Sequence, residues 1–481
     1  MDLQPALSYL GRVLEVFGIA SLLPVFVSWL AADGMAVWFI AMAIGSFVGG
    51  TLLERAFKKD VLTIQTTVTI ATLSLLVCGV LASIPFFFVT SPVNAILEAF
   101  SGITATGLSA LEVTALPASL IFWRTFLQWL GGIGLLAAIF LLLDSPVLSA
   151  HYLYRRGYDV VGNKSPLVRL RNMLFLFFGF TALGIVLLAA AGLSPFAALL
   201  QSMTAISLGG FDNGIPGSAG VNVILVILMI LGATSFFLHE KVLYRNVRAY
   251  LYSSELRLFV FLAVVFSVLV TLSIVSSPDA LSTGIFHAIS ALTTSGITIA
   301  PIVGSSAALL LIAMLIGAQS GSLGGGLKLI RMLILVRGIP WLARRATQPV
   351  ESSHDVRAGR TTLGDPEIAT IALFSVLFLL ILIISIILYT LLGLGPFEAS
   401  FTAVAAQTNT AMSVNPIAGV HDAGKILLIV QMVIGRLELF PIFLLFARKV
   451  ALHRLKEEET REYNYKSQEE DAEKSPFSFF G

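Results

Sequence analysis

Four stretches decide how this chain folds: SPVNAILEAFSGITATGLS (91–109), SPFAALLQSMTAISLGGFD (194–212), LSTGIFHAISALTTSGIT (281–298) and GPFEASFTAVAAQTNTAMS (395–413). Each joins a half-apolar run of helical length to a cluster of Thr, Ser and Gly. Three begin with a proline suited to the first turn of a helix, where its missing N–H has no partner to lose. Pro92 to Gly107, Pro195 to Gly210 and Pro396 to Ala411 are all 15 residues apart. The same interval back from Gly296 reaches Leu281, so the third copy keeps the length without the proline. These segments are too short and too polar to cross a bilayer, yet they lie between long apolar runs. Non-helical backbone survives at membrane depth only where it is buried in protein or lines a wet cavity. Four such turns in one chain predict a pseudo-four-fold axis with the turns around it. Their extended backbone would offer rings of carbonyl oxygens able to replace a cation's hydration shell.

The rest of the chain agrees with that setting. Of 481 residues, 57% are hydrophobic and 12% charged, against about 25% charged in soluble domains. The mean hydropathy of +0.92 excludes a soluble enzyme or a disordered chain. A net charge of +2 offers no polyanion-binding surface, which excludes a nucleic-acid partner. The lone Cys78 excludes a disulfide framework, a cysteine zinc site and an iron–sulfur cluster. The six histidines (His151, His239, His287, His354, His421, His453) are scattered without an HxxxH pair, so no metal site is assigned. His287, inside the third half-apolar run, reads as a packing residue.

With about 20 apolar residues per crossing, ten spans are expected: 6–31, 34–53, 62–90, 117–143, 170–193, 219–243, 257–276, 305–336, 367–393 and 423–447. The first lacks a basic leader and exceeds a signal-peptide core, so it reads as a retained helix. The expected fold is an all-α polytopic membrane protein, with an N-terminal helix pair (1–60) ahead of four helix–pore-loop–helix repeats. These cover 61–150, 151–250, 251–350 and 351–452, and a polar cytoplasmic tail (453–481) follows. Of 30 Lys and Arg, 26 fall in 54–60, 151–171, 241–257, 328–360 and 448–474, all on one side. The positive-inside rule makes that side, and both termini, cytoplasmic. The opposite loops carry Asp33, Glu98, Glu112, Asp212, Asp279, Glu398 and Asp422 against Arg124 and Lys425, a mildly cation-concentrating face.

Two features interrupt the spans. GAQSGSLGGG (317–326) places five glycines in ten residues of the eighth span, each about 1 kcal/mol less favourable in a helix than alanine. A helix broken there should line a cavity. GSLGGGLK lacks the GK[ST] ending of a phosphate-binding loop. Arg436 lies about a dozen residues into the last span, where a lone charge costs at least about 2.5–3.5 kcal/mol and must face water, a partner or a pore. Pairing with Glu438 is the competing reading, weakened because residues two apart on a helix do not face each other. Lys328 and Arg331, three residues apart at the inner end of the broken span, are expected to anchor to lipid headgroups or contact a partner.

QWLGGIGLL (128–136), GAQSGSLGGGLKLIRMLIL (317–335) and GRLELF (435–440), together with the four loops, resemble the TrkH subgroup of the Trk/Ktr/HKT potassium-transporter superfamily. The resemblance covers essentially the whole chain, and the extra N-terminal helix pair favours this subgroup over Ktr-like proteins. It implies channel-like potassium uptake across a bacterial inner membrane by a homodimer with one pore per subunit. It also implies a cytosolic TrkA-type nucleotide-binding regulatory subunit and no prosthetic group. The family's selectivity filter maps onto Thr104, Ala105, Thr106 and Gly107; Ser207, Leu208, Gly209 and Gly210; Thr294, Ser295 and Gly296; and Asn409, Thr410 and Ala411. Its intramembrane gating loop maps onto Gly317, Gln319, Ser320, Gly321, Ser322, Gly324, Gly325 and Gly326. Arg436 becomes a cation-repelling barrier that hydrogen-bonds this loop. Ala411 departs from the family's glycine. An L-residue in left-handed geometry costs about 1–2 kcal/mol, so either the fourth loop turns differently or it carries strain. Weaker potassium-over-sodium discrimination is expected in either case. Potassium symport with protons or sodium, and poorly selective potassium/sodium transport, remain open. Symporters typically pair two inverted halves, whereas these four loops enter from one side. A membrane enzyme would need a converging catalytic set, and neither HExxH nor GxSxG occurs.

Overall fold

The computed structural model describes residues 3–58, 64–142, 166–215, 217–302, 304–347, 356–358, 361–363 and 365–438. Along its long helices, bulky apolar side chains point outward: Phe26, Trp29, Phe175, Phe261 and Leu391 are each more than half exposed. Lipid as solvent carries no penalty for such a surface, and helices satisfy their own backbone groups there. Among the described residues, seven helices are long and apolar enough to cross a membrane. The other three expected spans are interrupted or incomplete within the described residues.

The N-terminal pair comprises α1 (Gln4–Ala20), α2 (Leu23–Ala31) and α3 (Ala36–Ala56). The first span, expected as one helix, breaks at Ser21–Leu22, because Pro24 in the first turn of α2 has no N–H to continue the ladder. The pair is fastened to the first repeat by Trp123, which is fully buried and donates to the Ala82 carbonyl at 3.1 Å. Its ring packs against Phe17 and Phe39 at 5.9 and 5.8 Å. Asp33, in the loop between α2 and α3, accepts from the Ser28 hydroxyl and the Met35 and Ser119 amides. Partial burial alone would raise its pKa, but these hydrogen bonds hold the carboxyl below its ordinary value.

Each repeat then follows one plan. Repeat one is α4 (Ile64–Ala82), the short α5 (Pro92–Ile103) and α6 (Ala118–Leu142). Repeat two is α7 (Pro166–Ala190), α8 (Pro195–Ser207), α9 (Ala219–Ala233) and α10 (Phe236–Leu243). The short α11 (Arg248–Tyr252) leads to repeat three: α12 (Ser254–Ser273), α13 (Ala280–Leu292), α14 (Ser305–Ile316) and α15 (Leu329–Thr347). Repeat four is α16 (Asp365–Leu391), α17 (Pro396–Gln407) and α18 (Asp422–Arg436). The short helices α5, α8, α13 and α17 are the four half-apolar runs, and three start at their proline.

One expectation in these repeats needs correction. The sixth span, expected as one helix over 219–243, turns through 94° between α9 and α10 at Thr234–Ser235. Thr234 is extended there (φ −85°, ψ 143°), which frees backbone groups that another segment uses. The helical fold carries one small addition among the described residues. β1 (Val356–Ala358) and β2 (Thr361–Leu363) form a two-stranded antiparallel ribbon between α15 and α16, with Val356 opposite Leu363. The eighth span is interrupted as expected, the helix ceasing from Gly317 to Lys328. The far half of the last span (439–447) and the tail (453–481) lie outside the described residues.

Candidate ion-conduction site: four converging turns over an intramembrane loop

Each short helix ends in the same local device. A residue in left-handed geometry turns the chain: Ala105 (φ 51°), Leu208 (58°), Thr294 (59°) and Asn409 (51°). The next amides fold back onto the helix end. Thr106 and Gly107 donate to the Ser101 carbonyl, Gly209 to Thr204, Ser295 and Gly296 to Ser290, and Thr410 to Ala405. A second left-handed residue follows in three copies: Gly107 (φ 80°), Gly210 (68°) and Gly296 (77°). Ala411 is not left-handed, so the fourth loop turns differently rather than carrying that strain.

The four turns meet. A β-carbon added at Gly107 would overlap the Gly209 carbonyl oxygen, one at Gly210 the Ser295 carbonyl, and one at Gly296 the Ala411 amide nitrogen. The Ala411 methyl lies 2.6, 2.5 and 2.7 Å from those three β-carbon positions. It therefore stands where the three glycines leave space. Hydroxyl pairs stiffen two turns: Thr104 with Thr106 (2.7 Å) and Thr408 with Thr410 (2.8 Å). Asn409 ties the fourth turn to the first, donating to the Thr106 hydroxyl at 2.8 Å and to the Met432 carbonyl at 2.9 Å.

The glycine-rich segment 317–328 packs against two of these turns. The Gly325 amide donates to the Thr294 hydroxyl at 2.7 Å, and Gly325 itself lies against the Thr408 carbonyl. The freed elbow of α9 and α10 holds the segment from the other side. Gln319 and Leu323 amides donate to the Ala233 and Gly232 carbonyls, and the Phe236 amide donates to the Gly321 carbonyl. Glu255, buried at the start of α12, accepts from the Ser320 amide at 2.6 Å. Gln319 and Ser322 are fully buried.

Arg436 is buried and donates to the Leu323 carbonyl at 3.1 Å and to the Gly131 carbonyl of α6 at 3.2 Å. It thus bridges the glycine-rich segment and repeat one. Glu438 pairs instead with Arg331 (2.5 Å) and Lys328 (3.8 Å). Lys328 and Arg331 are buried, which overturns headgroup anchoring for both. Lys328 also donates to the Gly324 carbonyl, and the Arg331 guanidinium lies 4.0 Å over the Phe374 ring.

Sequence reasoning missed several members of this region. Glu98, expected on a solvated outer face, is fully buried. It accepts from the Ser109 hydroxyl (2.6 Å) and the Ala110 amide (2.8 Å), pinning the chain just past the first turn. Arg124, 3.8 Å from Glu98, lies 4.0 Å over the Phe211 ring just past the second turn. The elbow had a readable signal in Gly232-Ala233-Thr234-Ser235, a small polar interruption of an apolar run. Glu255 had none beyond its place in a first helical turn. His287 accepts from the Ile299 amide at 3.1 Å, a structural role.

Helices that expose apolar faces, re-entrant segments and a broken helix define a multi-pass membrane transport protein. The chain belongs to the TrkH family of cation transport proteins, whose family model matches residues 35–455. It is 28% identical to an uncharacterized cation transporter of Methanocaldococcus jannaschii, over 93% of this chain and 96% of that one. It is 27% identical to the Trk system potassium uptake protein TrkH of Escherichia coli, over 91% of this chain and 96% of that one. The crystal structure of the potassium transporter TrkH from Vibrio parahaemolyticus superposes with a TM-score of 0.82 at 26% identity. That match covers 92% of this chain and 98% of the other.

Proposed function

We propose that this protein carries potassium into the cell through a channel-like pore. The observation that carries the reading is the meeting of four re-entrant turns at Gly107, Gly210, Gly296 and Ala411, so close that a β-carbon has no room at the glycines. Backbone carbonyls brought together in this way can stand in for the water around a cation. In this reading Thr104 to Gly107, Ser207 to Gly210, Thr294 to Gly296 and Asn409 to Ala411 form the filter. Gly317 to Gly326 is the gate, and Arg436 is a cation-repelling barrier that latches it. The repeats 61–150, 151–250, 251–350 and 351–452 are its four quadrants. The names of the relatives, potassium uptake proteins of a Trk system, support potassium as the transported ion.

The same reading places the protein in a bacterial inner membrane with both termini in the cytoplasm. It makes the protein a homodimer working with a cytosolic nucleotide-binding regulatory subunit of the TrkA type. Reconstitution into liposomes tests the core of it. Downhill potassium flux that follows an imposed potential and saturates, with sodium flux smaller, is the expected result. Flux that requires a second ion gradient would replace the pore with a symporter.

A further inference from the structure

Three repeats share a short pattern in the helix that follows the re-entrant turn: Met229-Ile230-Leu231-Gly232, Met314-Leu315-Ile316-Gly317 and Met432-Val433-Ile434-Gly435. All three methionines are fully buried. Repeat one breaks the pattern with Gln128-Trp129-Leu130-Gly131, and Gln128 is equally buried. An amide buried where the other repeats use a thioether costs about 1–3 kcal/mol for each polar group left unsatisfied. Its retention therefore calls for a partner, and Nε2 of Gln128 donates to the Gly209 carbonyl in the second turn at 2.7 Å.

A second break in the four-fold pattern coincides with the first. The residue before the last small residue of each turn is Thr106, Gly209, Ser295 and Thr410 in order. Only Gly209 lacks a hydroxyl. A β-carbon there would overlap the amide carbon of Gln128 and lie 2.7 Å from its Cγ. The Gln128 amide thus fills the space that a serine or threonine side chain would take. Its neighbours on α6 hold the same loop: Thr125 donates to Asn213 at 3.0 Å, and Arg124 lies over Phe211.

We propose that Gln128 is a specificity-determining positioning residue: its side-chain amide holds the Gly209 carbonyl oxygen and occupies the space that a side chain at position 209 would take. The inference rests on the pore reading above and extends it to the control of ion choice. A carbonyl tethered by an N–H donor cannot close in on a smaller ion, and the donor draws charge from the oxygen. Both effects disfavour sodium more than potassium.

The test is rubidium uptake into liposomes against rising sodium, for the parent, Gln128→Met and the double variant Gln128→Ala/Gly209→Ser. Gln128→Met installs the residue the other repeats use. The sodium concentration that halves uptake should fall about ten-fold, the equivalent of one hydrogen bond, with the maximal rate near the parent's. The double variant, which returns a hydroxyl to the vacated space, should recover much of the discrimination. Unchanged sodium competition in Gln128→Met overturns the inference, as does a loss of rate without a change in ion preference. If Gln128→Met fails to assemble, the double variant decides alone: retained discrimination supports the exchange of amide for hydroxyl, and lost discrimination at a normal rate overturns it. A parent without potassium-selective flux overturns the pore reading and this inference together. A selective parent with an insensitive Gln128→Met overturns the inference only.

Discussion

At the scale of single residues, Ala411 and Arg436 account for the two sharpest departures from four-fold regularity. Ala411 avoids left-handed geometry, and its methyl stands among three glycine positions. Ala411→Gly removes that methyl and permits the turn of the other three quadrants. In rubidium uptake under sodium competition, this variant should discriminate against sodium more strongly than the parent; equal competition in the two proteins would show that the methyl is irrelevant to ion choice. Arg436 was legible in sequence because a charge deep in an apolar run demands a reason. Its bond to the glycine-rich loop was expected through the family resemblance alone, and its second acceptor, the Gly131 carbonyl 305 residues away in the chain, was not foreseen. Arg436→Gln keeps a donor but removes the charge, so potassium flux should rise several-fold if the charge is a barrier. A flux below the parent's, in protein of equal abundance, would leave only a structural role. Glu98 shows the opposite failure. Counted among outer-loop acids, it is in truth sealed by Ser109 and Ala110, because a helix only twelve residues long brings its middle beside the chain that leaves it.

Among the elements, those with strong local signals were read well and those shaped by distant contacts were not. The prolines and the constant spacing located α5, α8 and α17, and the spacing alone located α13 to within a residue. The break after α14 followed from glycine content. The elbow between α9 and α10 was missed because its signal, the four small residues Gly232 to Ser235, is brief within a long apolar run; the turn is stabilised by the glycine-rich segment, which takes up the Gly232 and Ala233 carbonyls and the Phe236 amide. Deleting Ser320–Leu323 removes two of the groups that dock there, the Gly321 carbonyl and the Leu323 amide, and also the Ser320 amide that Glu255 holds. It also removes the carbonyl that Arg436 holds. Potassium flux should increase in the deleted protein. A folded, membrane-inserted deletion variant with lower flux would mean that the segment supports the pore rather than obstructing it.

For the whole molecule, the distribution of cations visible in the sequence predicts the orientation. The structure adds a convenient probe, since the one native thiol, Cys78, is buried and should react slowly. A cysteine introduced at Asp279 should label with a membrane-impermeant maleimide from outside intact cells, whereas one at Arg245 should label only after permeabilisation. The reverse pattern would invert the topology. Most of the architecture was legible because a bilayer restricts a chain to few solutions. The quadrant-to-quadrant ties, from Asn409 to Thr106 and from Arg436 to Gly131, were not, because pairings between repeats leave no trace in local composition.

The elbow between α9 and α10 has a mechanical corollary. An eight-residue helix is about 12 Å long, so swinging α10 by about 10° about Thr234–Ser235 displaces its far end by roughly 2 Å. The pivot of that swing carries the carbonyls and amide that grip Gln319, Gly321 and Leu323. Rotation of α10 about that pivot would therefore be felt directly by the hydrogen bonds that hold the glycine-rich segment, which couples the two elements mechanically.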